Sequence, residues 1–497
     1  MRVAIGVDVG TTGARAVAVD ERGGVVAAQT AGYPLLTPRP QWTEQDPEQW
    51  WWATRDVLAA VAAACRGASH EVVGLGLTGQ MHGSVFLDRA GDVIRPALLW
   101  NDQRTGTQCE YITERIGPTR IVAITGNPAL TGFQAPKVLW LRDEEPANFE
   151  RVAHVLLPKD YVRYRLAHVF ATDASDAAGT LFLDLRARTW SPEVLEALQV
   201  PVDWLPAVRE SSELTGTIAA AMASELGLPA GIPIAAGGGD NAAAAIGTGV
   251  TRSGLMSSSI GTSGVLFAHA DECAVDPSGR IHAFAHAVPG AYCLLAVTLS
   301  AGGSLRWWRG VTGIGYDKLV GEAVAVRPGS EGLVFLLYLT GERTPHLDPR
   351  ATGGFIGLTA RHTRGHLTRA LMEGVLFSLR DGIEIMRGLD VKQQQIRATG
   401  GGATADLWLQ LQADVYGASI HRLAIEEGAA YGAALLGHVV GGTFAGVDEA
   451  TAVVRTLDRP TEPDSGRGAI YDELYEVYRT LYGALRSDMH RLGALAR

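Results

Sequence analysis

Two short segments, Gly10-Thr11-Thr12-Gly13 and Gly261-Thr262-Ser263-Gly264, each place two hydroxyls between two glycines after a largely apolar run. Glycine lets backbone N–H groups approach a bound anion, and the hydroxyls add donors without adding charge. Two such turns half a chain apart read as two jaws on one phosphate group. Asp8 lies in the run before the first turn, Val3-Ala4-Ile5-Gly6-Val7-Asp8-Val9, where a carboxylate can hold a hydrated Mg²⁺ beside phosphates.

Asp240 follows Gly237-Gly238-Gly239 and precedes Asn241. A carboxylate at such a strand end can accept a proton from a substrate hydroxyl, or it can cap the helix beginning at Ala242. Met81 and His82 stand between Gly79 and Gly83 after a buried strand, which suits a cleft; core methionine and hydrogen-bonded histidine is the plainer alternative. Gly400-Gly401-Gly402 lie between the strand-like Ile396-Arg397-Ala398-Thr399 and a helix from Asp406 to Asp414, a site for a nucleotide's phosphate or ribose. Lys137, Lys159, Lys318 and Lys392 follow no glycine, so a Walker-type loop is excluded, and no Gly-x-Gly-x-x-Gly opens a helix after the first strand. The pairs His282/His286 and His362/His366 have helical spacing but lack the Glu of a His-Glu-x-x-His metal helix. They read as surface or packing histidines.

The elements that must position these groups alternate. Residues 3–9 and 14–19 form strands whose connecting tip is the first turn, and 255–260 with 265–267 repeat the arrangement. Asp46-Pro47 has the form of a helix start, the helix running through Val61. Trp50, Trp51 and Trp52, being consecutive on it, cannot share one face and read as packing residues. Val72 to Leu77 and Ile232 to Ala236 are further buried strands. The alternation predicts an α/β protein. At 497 residues the chain exceeds a single growing core, so two domains are expected, 1–249 and 250–497. No low-complexity linker separates them, which predicts a shared interface and a cleft.

Composition narrows the function. A net charge of −10 speaks against a general nucleic-acid binder. Cys65, Cys109, Cys273 and Cys293 form no Cys-x-x-Cys pair and read as reduced thiols of a cytoplasmic protein. No apolar run reaches the length needed to span a bilayer, so no membrane partner is expected.

The chain resembles the FGGY carbohydrate kinases, part of the wider sugar kinase, Hsp70 and actin fold group. The resemblance rests on Asp8-Val9-Gly10-Thr11-Thr12, Trp42-Thr43-Glu44-Gln45-Asp46-Pro47, Gly79-Gln80-Met81-His82-Gly83, Leu99-Trp100-Asn101-Asp102-Gln103-Arg104, Gly238-Gly239-Asp240-Asn241 and Thr399-Gly400-Gly401-Gly402-Ala403. Gly-Gln-Met-His-Gly followed by Trp-Asn-Asp-x-Arg is its specific part and points to the members acting on D-xylulose. The resemblance implies a two-domain, actin-like (ribonuclease H-like) fold with a cleft between an N-terminal sugar-binding domain and a C-terminal nucleotide-binding domain. It implies ATP and Mg²⁺ as cofactors and transfer of phosphate to the sugar's 5-hydroxyl. Asp240 would be the catalytic base and Asp8 the carboxylate near the metal. Met81, His82, Trp100, Asp240 and Asn241 would meet the sugar, and Thr11, Thr12, Gly261, Thr262, Gly401 and Gly402 the nucleotide. A homodimer is compatible with it. The alternatives are the same transfer to another ketose or polyol, an inactive sugar sensor, and a non-kinase ATP-binding protein of the actin or Hsp70 kind.

Overall fold

The protein is described here by a computed structural model covering residues 1–425, 427–457 and 459–495. Its frame is two large sheets built on one plan. The first contains β1 (Arg2–Val9), β2 (Gly13–Asp20), β3 (Val25–Gly32), β4 (Glu71–Gly79), β5 (Leu214–Thr217), β6 (Pro233–Ala235) and the short β7 (Gly238–Gly239). Its order is β5-β6-β4-β1-β2-β3, with β7 also on β4. The second contains β8 (Gly254–Ile260), β9 (Gly264–Ala270), β10 (His282–Ala285), β11 (Tyr292–Thr298), β12 (Gln393–Gly400) and β13 (Ser419–Arg422), in the order β10-β11-β9-β8-β12-β13. In both sheets an antiparallel hairpin is followed by parallel neighbours: β1 pairs β2 antiparallel and β4 parallel, and β8 pairs β9 antiparallel and β12 parallel. The two glycine turns are the tips of the two hairpins, as the sequence predicts.

Register brings the chemistry to one edge. Asp8 is level with Thr78, and Thr78 with Gly238, so the turn at Gly10, the segment after Gly79 and the residue after Gly239 leave the sheet side by side. In the second sheet Ser259 is level with Thr399 and Ile260 with Gly400, which sets the turn at Gly261 beside Gly401. Loops at the carboxyl ends of parallel strands are where α/β sheets bind ligands.

Helices cover these sheets. In α1 (Pro47–Gly67) Asp46 is the N-cap, its carboxylate accepting from the Glu48 N–H, and Pro47 is the first helical residue. Trp50 and Trp51 are buried against the first sheet, whereas Trp52 is 45% exposed. In the second half follow α3 (Ala301–Thr312), α4 (Tyr316–Val324), α5 (Arg364–Gly388), α6 (Asp406–Tyr416) and α8 (Ser465–Leu495).

Two helices cross at the centre of the molecule, α2 (Asp240–Thr248) and α7 (Gly428–Val440). Although α7 follows the second sheet in sequence, it lies on the first. Small residues permit this: a Cβ at Gly6 would stand 1.9 Å from the Ala430 carbonyl oxygen, one at Gly76 1.8 Å from that of Ala433, and one at Gly74 2.0 Å from that of Gly437. Gly432 meets α2 as closely, 1.8 Å from the Ala243 carbonyl oxygen.

The four cysteines are free, and among the described residues no helix is long and apolar enough to cross a membrane. His362 and His366 do the packing work expected of them, His366 closing a capping box with Thr363 at the start of α5. For His282 and His286 the packing reading holds, and only their helical spacing needs correction. His282 is on strand β10, His286 follows it, and both are buried; their spacing is not that of a helix face.

Candidate active site

Asp240 is the first helical residue of α2, one position inside the N-cap Gly239, so its carboxylate is not the cap. Its Oδ1 accepts from the backbone N–H of Asn241 at 2.7 Å and from Asn241 Nδ2 at 2.9 Å. Burial raises its pKa to about 6, against these two bonds. Asp8 is the second-last residue of β1, with Oδ1 buried and without a hydrogen-bond partner among the described residues. Burial, and then repulsion from Asp240, push its pKa up to about 7, with Arg15 opposing. The two carboxylates therefore sense each other at the sheet edge.

Gln80 ties the first turn to the chain after β4. Its Oε1 accepts from Thr11 Oγ1, and its Nε2 donates to Gln45 Oε1, which also accepts from Trp50 Nε1 at 2.9 Å. Thr11 Oγ1 in turn accepts from Trp100 Nε1 at 3.0 Å. The Thr11 hydroxyl is thus engaged in holding Trp100, while Thr12 is exposed on the turn.

His82 has a left-handed backbone, φ 69°. Lys137 Nζ donates to the His82 carbonyl at 2.8 Å, and His82 Nδ1 lies 2.6 Å from the Gly179 carbonyl oxygen. A carbonyl only accepts, so Nδ1 carries the hydrogen and Nε2 keeps its lone pair. Burial lowers the His82 pKa to about 3, and Lys137 and Arg343 add to the effect, so the ring is neutral at pH 7.

Two pockets adjoin these groups. The smaller, about 210 Å³, has Met81, His82, Trp100, Asp240 and Asn241 on one side and Ser263, His282 and Arg343 on the other. The larger, about 720 Å³, is lined by Gly261, Thr262, Gly401 and Gly402 together with Arg306, Tyr316 and Trp408. Thr11 and Thr12 stand on the opposing turn and do not line it. The second glycine turn borders both pockets, with Gly261 and Thr262 on the larger and Ser263 on the smaller.

The sequence reading missed Phe133, Lys137, His282 and Arg343. Phe133 packs its ring edge on His82 at 4.8 Å. None of the four sits in a motif. His282 carried a signal, the His-x-x-x-His spacing, but a helical period was read onto a strand.

Comparison with known proteins agrees with this geometry. Residues 3–247 match the N-terminal domain, and residues 256–440 the C-terminal domain, of the FGGY family of carbohydrate kinases. The xylulose kinase of Escherichia coli K12 is 40% identical over 97% of this chain and 99% of its own. A ligand-bound xylulose kinase from Lactobacillus acidophilus superposes with a TM-score of 0.94 at 26% identity, over 99% of this chain and 100% of its own. A gluconate kinase from the same organism superposes with a TM-score of 0.93, also at 26% identity, over 99% of both chains. With both domains matched in order, and near-complete overlap with its relatives, the chain belongs to the FGGY family of carbohydrate kinases.

Proposed function

We propose that this carbohydrate kinase transfers the γ-phosphoryl group of ATP to the 5-hydroxyl of D-xylulose, giving D-xylulose 5-phosphate. The observation that carries the reading is the shared wall: one glycine turn borders both a small pocket holding Asp240 and a large pocket flanked by Gly401 and Gly402. A transferred group has to cross such a wall. The near-complete match to xylulose kinases supports the choice of sugar.

In this reading Asp240 accepts the proton of the 5-hydroxyl as that oxygen attacks phosphorus. Met81, His82, Trp100 and Asn241 surround the sugar. Gly261 and Thr262 with Thr11 and Thr12 hold the phosphates, and Gly401 and Gly402 admit the adenosine. Phosphoryl transfer asks the protein mainly for positioning and charge neutralisation, which these groups supply. Asp8 fits Mg²⁺: its buried Oδ1 lacks a partner among the described residues, and Mg²⁺ needs only one or two carboxylates beside phosphates and water. When bound, that ion neutralises charge on the β- and γ-phosphates. Among the described residues no set of three or more His, Cys, Asp or Glu gathers as a metal site, consistent with an ion that arrives on its nucleotide.

Residues 1–249 then form the sugar-binding unit and 250–497 the nucleotide-binding unit, with Ser263, His282 and Arg343 reaching across to close the sugar pocket. Free thiols fit a cytoplasmic enzyme, and a homodimer is tested by light scattering. The deciding assay is ADP release with Mg-ATP against D-xylulose, L-xylulose, D-ribulose, L-ribulose, glycerol, gluconate and no sugar. Stimulation by D-xylulose alone is expected. A preference for gluconate, the substrate named for one structural neighbour, would keep the chemistry and replace the sugar.

A further inference from the structure

The smaller pocket holds one cationic side chain, Arg343, on the loop after Glu342. Its backbone N–H donates to Glu342 Oε1 at 2.7 Å, but among the described residues its guanidinium makes neither an ion pair nor a hydrogen bond. The neighbouring Glu342 favours its charge without an ion pair: that carboxylate is buried, accepting from Thr298 Oγ1 at 2.5 Å and from the Leu299 N–H at 3.0 Å. The guanidinium is part-buried at the pocket wall with its donors unused by protein groups, so they are free to meet acceptors on a ligand.

The pocket's other polar groups point to what that ligand offers. Asn127 Nδ2 donates to the carbonyls of Thr125 and Ala283, which fixes Oδ1 as its acceptor. His282 Nδ1, 2.7 Å from that Oδ1, therefore carries the hydrogen. His282, like His82, is left with an Nε2 lone pair and, among the described residues, no protein partner for it. Burial keeps both rings neutral, and the nearby Arg343 charge adds to the effect. The pocket thus presents two imidazole acceptors, suited to sugar hydroxyls, and one group that only donates.

We infer that Arg343 recognises the ketose carbonyl oxygen and makes the enzyme selective for a ketose over the corresponding polyol. This rests on the proposed substrate. Ring closure of a 2-ketopentose to the furanose uses the oxygen on C5, so only the open-chain form presents a free 5-hydroxyl to Asp240. In that form C2 bears a carbonyl oxygen, the one oxygen of the molecule that accepts without donating. Hydroxyls can satisfy His82 and His282 by donating to them; a carbonyl suits the donor-only fork of Arg343.

The test compares D-xylulose with xylitol, which has a hydroxyl in place of the carbonyl. Dissociation constants for both, and for ATP, are measured on the wild type, Arg343→Gln and Arg343→Lys, with unfolding midpoints recorded alongside. Loss of a charge-assisted bond predicts D-xylulose binding weakened about 10- to 100-fold in Arg343→Gln, with xylitol and ATP binding little changed. Arg343→Lys retains the charge without the fork and is expected to fall between. Equal weakening for both sugars, weakened ATP binding alone, or no change would each overturn the inference. Failure of the substrate reading is visible separately, because the wild type would then not phosphorylate D-xylulose at all.

Discussion

The hydroxyl of Ser175 accepts the backbone N–H of Gly239 at 3.2 Å, so the residue immediately before Asp240 is tethered to a buried charge cluster. Ser175 Oγ and Ser211 Oγ both donate to Asp173 Oδ2, and Lys159 Nζ lies within 2.7 to 3.2 Å of Asp160, Asp173 and Asp176. Arg163 holds the same segment by donating to the carbonyls of Ala235 and Ala236. Ser175→Ala removes two hydrogen bonds, one of them to the Asp173 carboxylate, and is expected to cost about 2–4 kcal/mol of stability. It should lower kcat with little change in sugar KM, because the base loses its aim while the pocket stays. Lys159→Met leaves Asp173 and Asp176 buried without their cation, Asp160 retaining Arg163, and is expected to cost about 3–5 kcal/mol. Denaturant unfolding with steady-state kinetics separates the two; a Ser175→Ala variant altered only in stability would deny the tether a catalytic role.

Asp240→Asn is expected to lower kcat by about 10²- to 10⁴-fold, the usual worth of a positioned base, with sugar and nucleotide binding retained. Near wild-type turnover would remove Asp240 from that role.

The pH dependence follows from the same carboxylates. Asp240, with a pKa of about 6, and Asp8, at about 7, must be ionised to act as base and metal partner. Activity therefore falls as pH drops through 7 toward 6, well above the ordinary carboxylate range. Stability moves the other way. Both values are raised on folding, so the folded state binds protons more tightly than the unfolded chain, and this contribution is present at low pH and lost as pH rises through 6 to 7. Asp240→Asn should accordingly be the more stable protein at pH 8, by about 1–2 kcal/mol. An unfolding titration from pH 5 to 8 on both proteins checks the sign.

His82→Ala should weaken sugar use and leave ATP binding unchanged, since His82 lines the smaller pocket and not the larger. A sugar KM equal to that of the wild type would place His82 outside the substrate's reach.

The helices α2 and α7 pack against each other at a contact with no spare room. Gly432→Ala inserts a methyl group 1.8 Å from the Ala243 carbonyl oxygen, and overpacking of this kind costs about 1–3 kcal/mol. In the wild type, small-angle scattering should show a smaller radius of gyration with sugar and nucleotide together than with neither. Identical profiles would count against closure of the two halves.

Much of this architecture was legible because it follows from local patterns. The two turns read correctly as hairpin tips because glycine and an apolar run on each side leave few other conformations. Asp46-Pro47 marked the start of α1 for the same local reason. What could not be read depends on distant chain. Arg343 meets Asp240 in one pocket only after the second sheet has folded and packed across the first, and no spacing in the sequence encodes that encounter. The placement of α7 on the first sheet is equally hidden, its signal being only glycines at 6, 74 and 76 that read as ordinary strand residues.

The repeated strand order has one further consequence. The two hairpins follow one plan, in which Ser259, level with Thr399, occupies the place that Asp8, level with Thr78, holds in the other sheet. They match in backbone and differ in charge. An acidic side chain in both would set a second anion against the same polyphosphate and call for a second counterion. With a hydroxyl in one, the pair matches in register and differs in charge, so a phosphoryl group bound as we propose would meet a charged side and a neutral side.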